Sequence, residues 1–250
     1  MATTGTVRRT AVVTGAASGL GQAIAEHLAA TGHDVAVCDI IDCTETVDRV
    51  RKHGRRALAR IADVSVPADV TRFAEAVHSE LGPVGVLLNN VGISPYRDFL
   101  DISLEEWQKV MRVNLDSLLL VTQAFLPDMI EAGAGRVICM TSSVVWDPAS
   151  TQMVHYATSK GGVWAFTRAL AGEVGRHGVT VNCIAPGLIR TPALAERVPP
   201  ERWERTTQRQ AVPRTLVPDD LLASVDFLVS DAAAAVTGTT VPVNGGRVYL

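Results

Sequence analysis

The chain has 250 residues, 47% of them hydrophobic, a formal net charge of −3 and an isoelectric point near 6.1. That is ample for one sizeable core, and the weak negative charge gives no electrostatic basis for partnership with nucleic acid or an anionic membrane. No apolar run approaches the roughly 20 residues of a membrane span. Cys38, Cys43, Cys139 and Cys183 lack C-x-x-C spacing, so no metal site is predicted and free thiols in a reducing cytoplasm are expected.

Arg8-Arg9 looks superficially like a twin-arginine signal. The apolar run after it is only Ala11-Val12-Val13 before Thr14-Gly15 interrupts, so no signal peptide is predicted. Residues 10–14 form a β-branched run that predicts a buried strand. Gly15-Ala16-Ala17-Ser18-Gly19-Leu20-Gly21 follows, and a helical pattern runs from Gln22 to Thr31, stopped by Gly32. Strand, glycine loop and helix in that order can hold a pyrophosphate: glycines admit close approach, and the helix N-terminus offers free N–H groups. A second predicted strand, 34–39, ends in Asp39, 18 residues after Gly21. By itself Asp39 could be a cap or turn residue. After a glycine loop, a carboxylate there suits ribose hydroxyls and repels a 2′-phosphate, and no Arg or Lys occurs at 14–21 or 40–42. NAD is therefore expected in preference to NADP.

A polar helix over 44–53 and a third strand over 56–62 precede Asp63-Val64, where the acid is either a cap or a group facing adenine. Residues 69–81 are amphipathic, and 84–88 predict an apolar strand running into Asn89-Asn90-Val91-Gly92. Paired amides there tie neighbouring loops together, a role compatible with cofactor contact. Ser103 and Glu106 have capping-box spacing and start a long helix. Asn114 lies in its apolar row of Val110, Val113, Leu115, Leu118 and Leu119. A buried amide needs partners, either a backbone group nearby or a water linked to Lys160.

The strand over 136–140 delivers Thr141-Ser142-Ser143. The helix over 153–175 has apolar or small residues on more than one face, which predicts a symmetric oligomer. It also carries Tyr156 and Lys160, whose spacing puts phenol and ammonium on one face. Of 23 basic residues only Lys52, Lys109 and Lys160 are lysine. A cation beside Tyr156 would favour phenolate over the usual pKa of roughly 10. Ser143, thirteen residues upstream, could turn its hydroxyl toward the same oxygen. His155 is given no role, because a neighbour along a helix points about 100° away.

A sixth strand over 179–184 leads into Pro186-Gly187-Leu188-Ile189-Arg190-Thr191. From 188 to 213 prolines break the pattern, as in a substrate lid. Its arginines (Arg190, Arg197, Arg202, Arg205, Arg209) read as a solvated face, with contact to an anionic substrate left open. A last helix (216–229) and a strand within 237–246 complete the chain, Pro242 arguing for an edge. The pattern predicts a single α/β domain over 1–250: a Rossmann-type, doubly wound parallel sheet of about seven strands with helices on both faces.

Together, Thr14-Gly15-x-x-x-Gly19-x-Gly21, Asp63, Asn89-Asn90-x-Gly92, Asn114, Ser143, Tyr156-x-x-x-Lys160, Pro186-Gly187 and Thr191 resemble, in order and over essentially the whole chain, the classical short-chain dehydrogenase/reductase family. The departures are Val91, where the family usually has Ala, and Asn244, where an Asp often precedes the final Gly-Gly. Looser features, Trp146 after Thr-Ser-Ser and the Ala211-Val212-Pro213-Arg214 run, look like NAD-preferring, tetrameric secondary-alcohol dehydrogenases and aryl-ketone reductases, 1-phenylethanol dehydrogenase among them. The resemblance implies hydride transfer between an alcohol carbon and a nicotinamide. Tyr156 would be the acid/base, Ser143 the partner of the substrate oxygen, Lys160 the partner of the ribose and tuner of the phenol, and Asn114 the holder of a water. It also implies cofactor contacts at Gly15, Ser18, Gly19, Leu20, Gly21, Asp39, Ile40, Asp63, Val64, Asn90, Gly92, Pro186, Gly187, Ile189 and Thr191, and a homotetramer (or homodimer).

The pocket above Ser143 and Tyr156 is expected to be walled by Ser94, Tyr96, Val144, Trp146, Met153, Leu188 and Trp203, mostly apolar, which suits a hydrophobic ketone or secondary alcohol. A rival within the family is a 3-oxoacyl-thioester reductase on carrier-bound chains; such reductases usually prefer NADPH, so Asp39 counts against it. A rival of another class is a non-catalytic NAD-binding redox sensor, disfavoured by the intact Asn114, Ser143, Tyr156 and Lys160.

Overall fold

A computed structural model describes residues 10–249, so Arg8-Arg9 and the reading made of them lie outside the described residues. The strands are β1 (Thr10–Thr14), β2 (Asp34–Asp39), β3 (Ala57–Ile61), β4 (Val84–Asn89), β5 (Gly135–Met140), β6 (Val179–Pro186) and β7 (Thr240–Val243). They form one parallel sheet in the order β3-β2-β1-β4-β5-β6-β7. Every residue of β5 and β6 is buried, as expected where helices cover both faces. β7 pairs only with β6, so Pro242 does sit on an edge.

The helices are α1 (Gly19–Ala30), α2 (Thr44–Lys52), α3 (Pro67–Glu80), α4 (Leu104–Met111), α5 (Ser117–Glu131), α6 (Val154–Val174), α7 (Pro192–Arg197), α8 (Pro200–Gln208) and α9 (Asp219–Val229). Alternation along the strands sends side chains to two cores. Val12, Leu87, Val137 and Val181 meet Phe73, Phe125, Met129 and Val163 from α3, α5 and α6. Val13, Leu88, Ile138 and Ile184 meet Ile24, Leu28, Val50 and Leu221 from α1, α2 and α9. Among the described residues no helix is long and apolar enough to cross a membrane. All four cysteines are buried and free.

Ser103 caps α4, its Oγ accepting the Glu106 N–H at 3.1 Å. The long helix expected from there is continuous but not uniform: residues Arg112–Asp116 are wound as a π-helix, with Asn114 at the middle. Leu119, placed by the sequence in a buried row, is 46% exposed. The segment from 188 to 213 is more regular than expected. Pro192 and Pro200 start α7 and α8, where a missing N–H costs nothing. The side chain of Asp147, in the turn after β5, is 1% exposed and accepts from the Arg247 Nε at 2.6 Å and the Arg209 guanidinium at 3.4 Å. One buried carboxylate thus joins the turn after β5, the end of α8 and the carboxy-terminal segment.

Candidate active site

At the carboxyl end of β1 the glycine loop is held by backbone and amide contacts. A Cβ on Gly21 would lie 2.2 Å from the Gly15 carbonyl oxygen and 2.8 Å from Asn90 Nδ2, so helix and loop approach too closely for any side chain there. Ser18 caps α1 without a side-chain bond, leaving the first-turn N–H groups turned toward the cleft. Asn90 ties the loop as the sequence suggested, Nδ2 donating to the carbonyls of Thr14 and Gly15, each at 3.0 Å. Asp39 ends β2, its carboxylate accepting the Ala17 N–H at 3.1 Å and the Ile40 N–H at 2.7 Å, with Ile40 68% exposed beside it. Asp63 behaves as a turn residue, accepting the N–H and hydroxyl of Ser65.

A cleft of about 270 Å³ runs from Ser18, Gly19 and Leu20 past Asn90 and Gly92 to Tyr156 and Lys160; Pro186, Gly187, Ile189 and Thr191 close its other side. Gly15 and Gly21 shape the loop from outside the cleft lining. Asp39, Ile40 and Asp63 also lie outside it, and Val64 lines a separate small cavity beneath. An open helix N-terminus, a glycine cradle and a carboxylate at the end of β2 fit the pyrophosphate and ribose of a dinucleotide.

Tyr156 and Lys160 leave α6 where that helix meets the end of β5. Lys160 Nζ donates to the Met140 carbonyl at 2.7 Å, and Thr141 Oγ1 donates to the Lys160 carbonyl at 2.8 Å. Asn114 holds the same turn from the other side. Its Oδ1 accepts the Ile93 N–H at 2.8 Å, and its Nδ2 donates to the Ile93 carbonyl at 3.0 Å and to Ser159 Oγ at 2.9 Å. The amide is therefore satisfied by protein, the simpler of the two sequence readings. Beside it lies a cavity of about 10 Å³, lined by Asn114, Ser117 and Lys160, near the minimum for one water. Ser159, whose hydroxyl also donates to the Tyr156 carbonyl at 2.7 Å, was missed from sequence. A Cβ on Gly92 would come 3.1 Å from Lys160 Nζ, so this glycine leaves room for the ammonium.

The Tyr156 phenol meets the Ser142 hydroxyl, and Ser143 lines the adjoining pocket together with Tyr156. Ser142 is still extended (φ −162°, ψ 148°) and lines the cleft, whereas Ser143 begins a 3₁₀ turn and is buried, reaching only the pocket beyond. Burial pushes Tyr156 up, against the Ser142 hydrogen bond. Lys160 lies 5.9 Å from the ring centroid and is itself pushed down to about 8 by burial.

A second pocket adjoins Ser142 and Tyr156. Ser94, Tyr96, Val144, Met153 and Leu188 line it as expected. Trp146 and Trp203 do not: Trp146 packs edge-on against Trp164 with centroids 6.3 Å apart, and Trp203 Nε1 donates to the Val198 carbonyl within the 188–213 segment. Ser150, Leu194, Arg202, Thr206 and Arg247 join the wall, so the pocket is less apolar than the sequence suggested. They come from distant stretches, and only the fold brings them together. His155, given no role, is fully buried with Nε2 3.5 Å from Glu106 Oε1.

A family model described as enoyl-(acyl carrier protein) reductase matches residues 15–247. The chain is 39% identical over 245 residues to the short-chain reductase protein NovJ of Streptomyces niveus, covering 95% of this chain and 93% of the relative. It is 35% identical over 240 residues to the 3-oxoacyl-[acyl-carrier-protein] reductase FabG of Pseudomonas aeruginosa, covering 95% and 96%. Among solved structures, actinorhodin polyketide ketoreductase with NADPH superposes with a TM-score of 0.90 at 32% identity, covering 96% and 97%.

Burial of Lys160 has a measurable consequence. The folded chain sheds this proton near pH 8, whereas the unfolded chain keeps it to about 10.4. Between those values the unfolded state binds more protons, so wild-type stability gains with rising pH. The difference in melting temperature between Lys160→Met and wild type, both without ligand, is expected to move in favour of wild type from pH 7 to pH 10. A pH-independent difference would show that Lys160 keeps its ordinary pKa.

Proposed function

The chain belongs to the short-chain dehydrogenase/reductase family and is an oxidoreductase of that family; from that premise we propose that it interconverts a hydrophobic secondary alcohol and its ketone with NAD(H). The observation that supports this most is the meeting of the two clefts at one point, where Tyr156 and Ser142 line both and Lys160 lies at the end of the first. When bound, the nicotinamide supplies or accepts the hydride. Residues at the glycine loop, Asp39, Asn90 and Thr191 would hold the dinucleotide, with Lys160 at its nicotinamide ribose.

Tyr156 handles the proton. Burial keeps the phenol protonated at neutral pH, which suits donation to a carbonyl oxygen as it becomes an alkoxide. In the opposite direction an ammonium at residue 160 favours the phenolate that must form. Ser143, which shares the pocket with Tyr156, donates to the same substrate oxygen and stabilises its developing charge. Asn114 and Ser159 act through the backbone of α6, fixing where Tyr156 stands, while the cavity beside Asn114 and Lys160 has room for one water to relay protons. The 188–213 segment covers the pocket as a lid. The likeness to 1-phenylethanol dehydrogenase belongs to this reading as its narrowest form.

Asp39 supports NAD over NADP, since a 2′-phosphate would meet its carboxylate and no Lys or Arg occurs at 40–42. The FabG relative and the NADPH-bound ketoreductase favour a second reading, reduction of a carrier-bound 3-oxoacyl thioester with NADPH. Half-buried Trp164 on α6 fits assembly into a homotetramer or homodimer, and a cytoplasmic location belongs to the same reading.

Tyr156→Phe is expected to lower kcat by roughly 10²- to 10⁴-fold while NADH binding is kept; turnover within threefold of wild type would remove Tyr156 from the chemistry. Ser143→Ala should cost more than tenfold in kcat, and a loss under threefold would pass the role to Ser142, the other hydroxyl beside Tyr156. Wild type should use NADH at least about tenfold better than NADPH in kcat/KM, with the ratio shrinking in Asp39→Ala; a wild-type preference for NADPH favours the thioester reading. Light scattering at micromolar concentration should give a dimer or larger, and a monomer rejects the assembly.

A further inference from the structure

Arginines around the second pocket differ in their partners. Arg247 and Arg209 share the Asp147 carboxylate, Arg97 is paired with Glu106, and Arg214 with Asp220. Arg202, on α8, lines the pocket that also contains Ser142 and Tyr156, and among the described residues no carboxylate pairs with it. Its side chain contacts a ring instead: the guanidinium carbon stands 4.1 Å from the centroid of Tyr96. Stacking of this kind fixes the plane of the guanidinium while leaving its edge N–H groups available for a planar anion.

The surroundings add to the field. No Asp or Glu lines this pocket, whereas both Arg202 and Arg247 do. Arg202, Arg209 and Arg247 together carry three positive charges against the single carboxylate of Asp147. Arg202 is half-buried, so its attraction for an anion is less screened than on an open surface. Most arginines of the lid segment face solvent, as the sequence suggested; Arg202 departs from them because α8 turns it over Tyr96.

Resting on the oxidoreductase reading of this same site, we propose that Arg202 recognises a carboxylate on the substrate, on the part remote from the reacting carbonyl or carbinol carbon. The apolar walls at Val144, Met153 and Leu188 take the body of the molecule, its oxygen lies at Tyr156 and Ser143, and its carboxylate meets Arg202. The substrate class is then an oxo acid or hydroxy acid with a hydrophobic spacer, not a neutral ketone.

The test compares 4-acetylbenzoate with its methyl ester, which keeps the ketone and ring and removes the charge. Binding of each to the full-length protein saturated with NAD is measured by calorimetry or tryptophan quenching, apart from turnover. Wild type is expected to bind the acid about tenfold or more tightly than the ester. Arg202→Gln should bring the acid to within about threefold of the ester without changing the ester's Kd, and Arg202→Lys should recover part of the preference. Equal affinity for acid and ester, no binding of either, or equal weakening of both by Arg202→Gln (the sign of a lid latch) would each overturn the proposal. Turnover is scored separately. A panel of ketones inert with both NADH and NADPH would refute the proposed function while leaving the charge preference in binding, and brisk turnover without that preference would do the reverse.

Discussion

In a parallel sheet, the loops leaving neighbouring strands turn to the same face until the order of strands reverses, and here it reverses between β1 and β4. The loop after β1 leads to α1 on one face, and the loop after β4 leads to α4 and α5 on the other. A crevice must open where they part. Asn90 then governs how wide it is, since its amide crosses from the end of β4 to the carbonyls of Thr14 and Gly15. The absence of a side chain at Gly21 lets the loop fold down onto α1, so that helix N–H groups rather than side chains face the opening.

At the far end of that crevice the same economy of contacts fixes the reacting groups. Met140 and Thr141, at the end of β5, bond Lys160 at its ammonium and its carbonyl. Asn114, set inward by the π-wound turn, bonds Ser159 and thereby steadies the carbonyl of Tyr156. Desolvation works on both titrating side chains in the direction of neutrality, raising the phenol and lowering the amine.

The pocket beyond Tyr156 depends on a different element. Asp147 carries two arginines from remote parts of the chain and is almost sealed from solvent. Losing that carboxylate would leave Arg247 buried without a counter-charge, a costly arrangement. Through Arg209 the clamp ties the end of α8 to the turn after β5, and α8 carries Arg202 over Tyr96.

Sequence by itself determined the sheet, the glycine loop, the pairing of Tyr156 with Lys160 on one helix face and the tie made by Asn90. Each of these is local: strand and helix periodicities, a strand–loop–helix succession, or a spacing of four within one helix. It also named Asn114, and correctly allowed that a backbone group might satisfy its amide. Spacing named Ser143, whereas the approach of Ser142 to the phenol is visible only in the backbone, because residues 141–143 pass from extended chain to a 3₁₀ turn. Trp146 and Trp203 were drawn to the pocket by their chemistry, yet their rings pack and bond elsewhere. Arg247, 91 residues beyond Tyr156, reached the pocket unforeseen, and Arg202, 46 residues beyond, had been left open as one of five lid arginines. Contacts over such separations depend on how α8 and the carboxy-terminal segment dock against the turn after β5, and no periodicity along the chain encodes that docking.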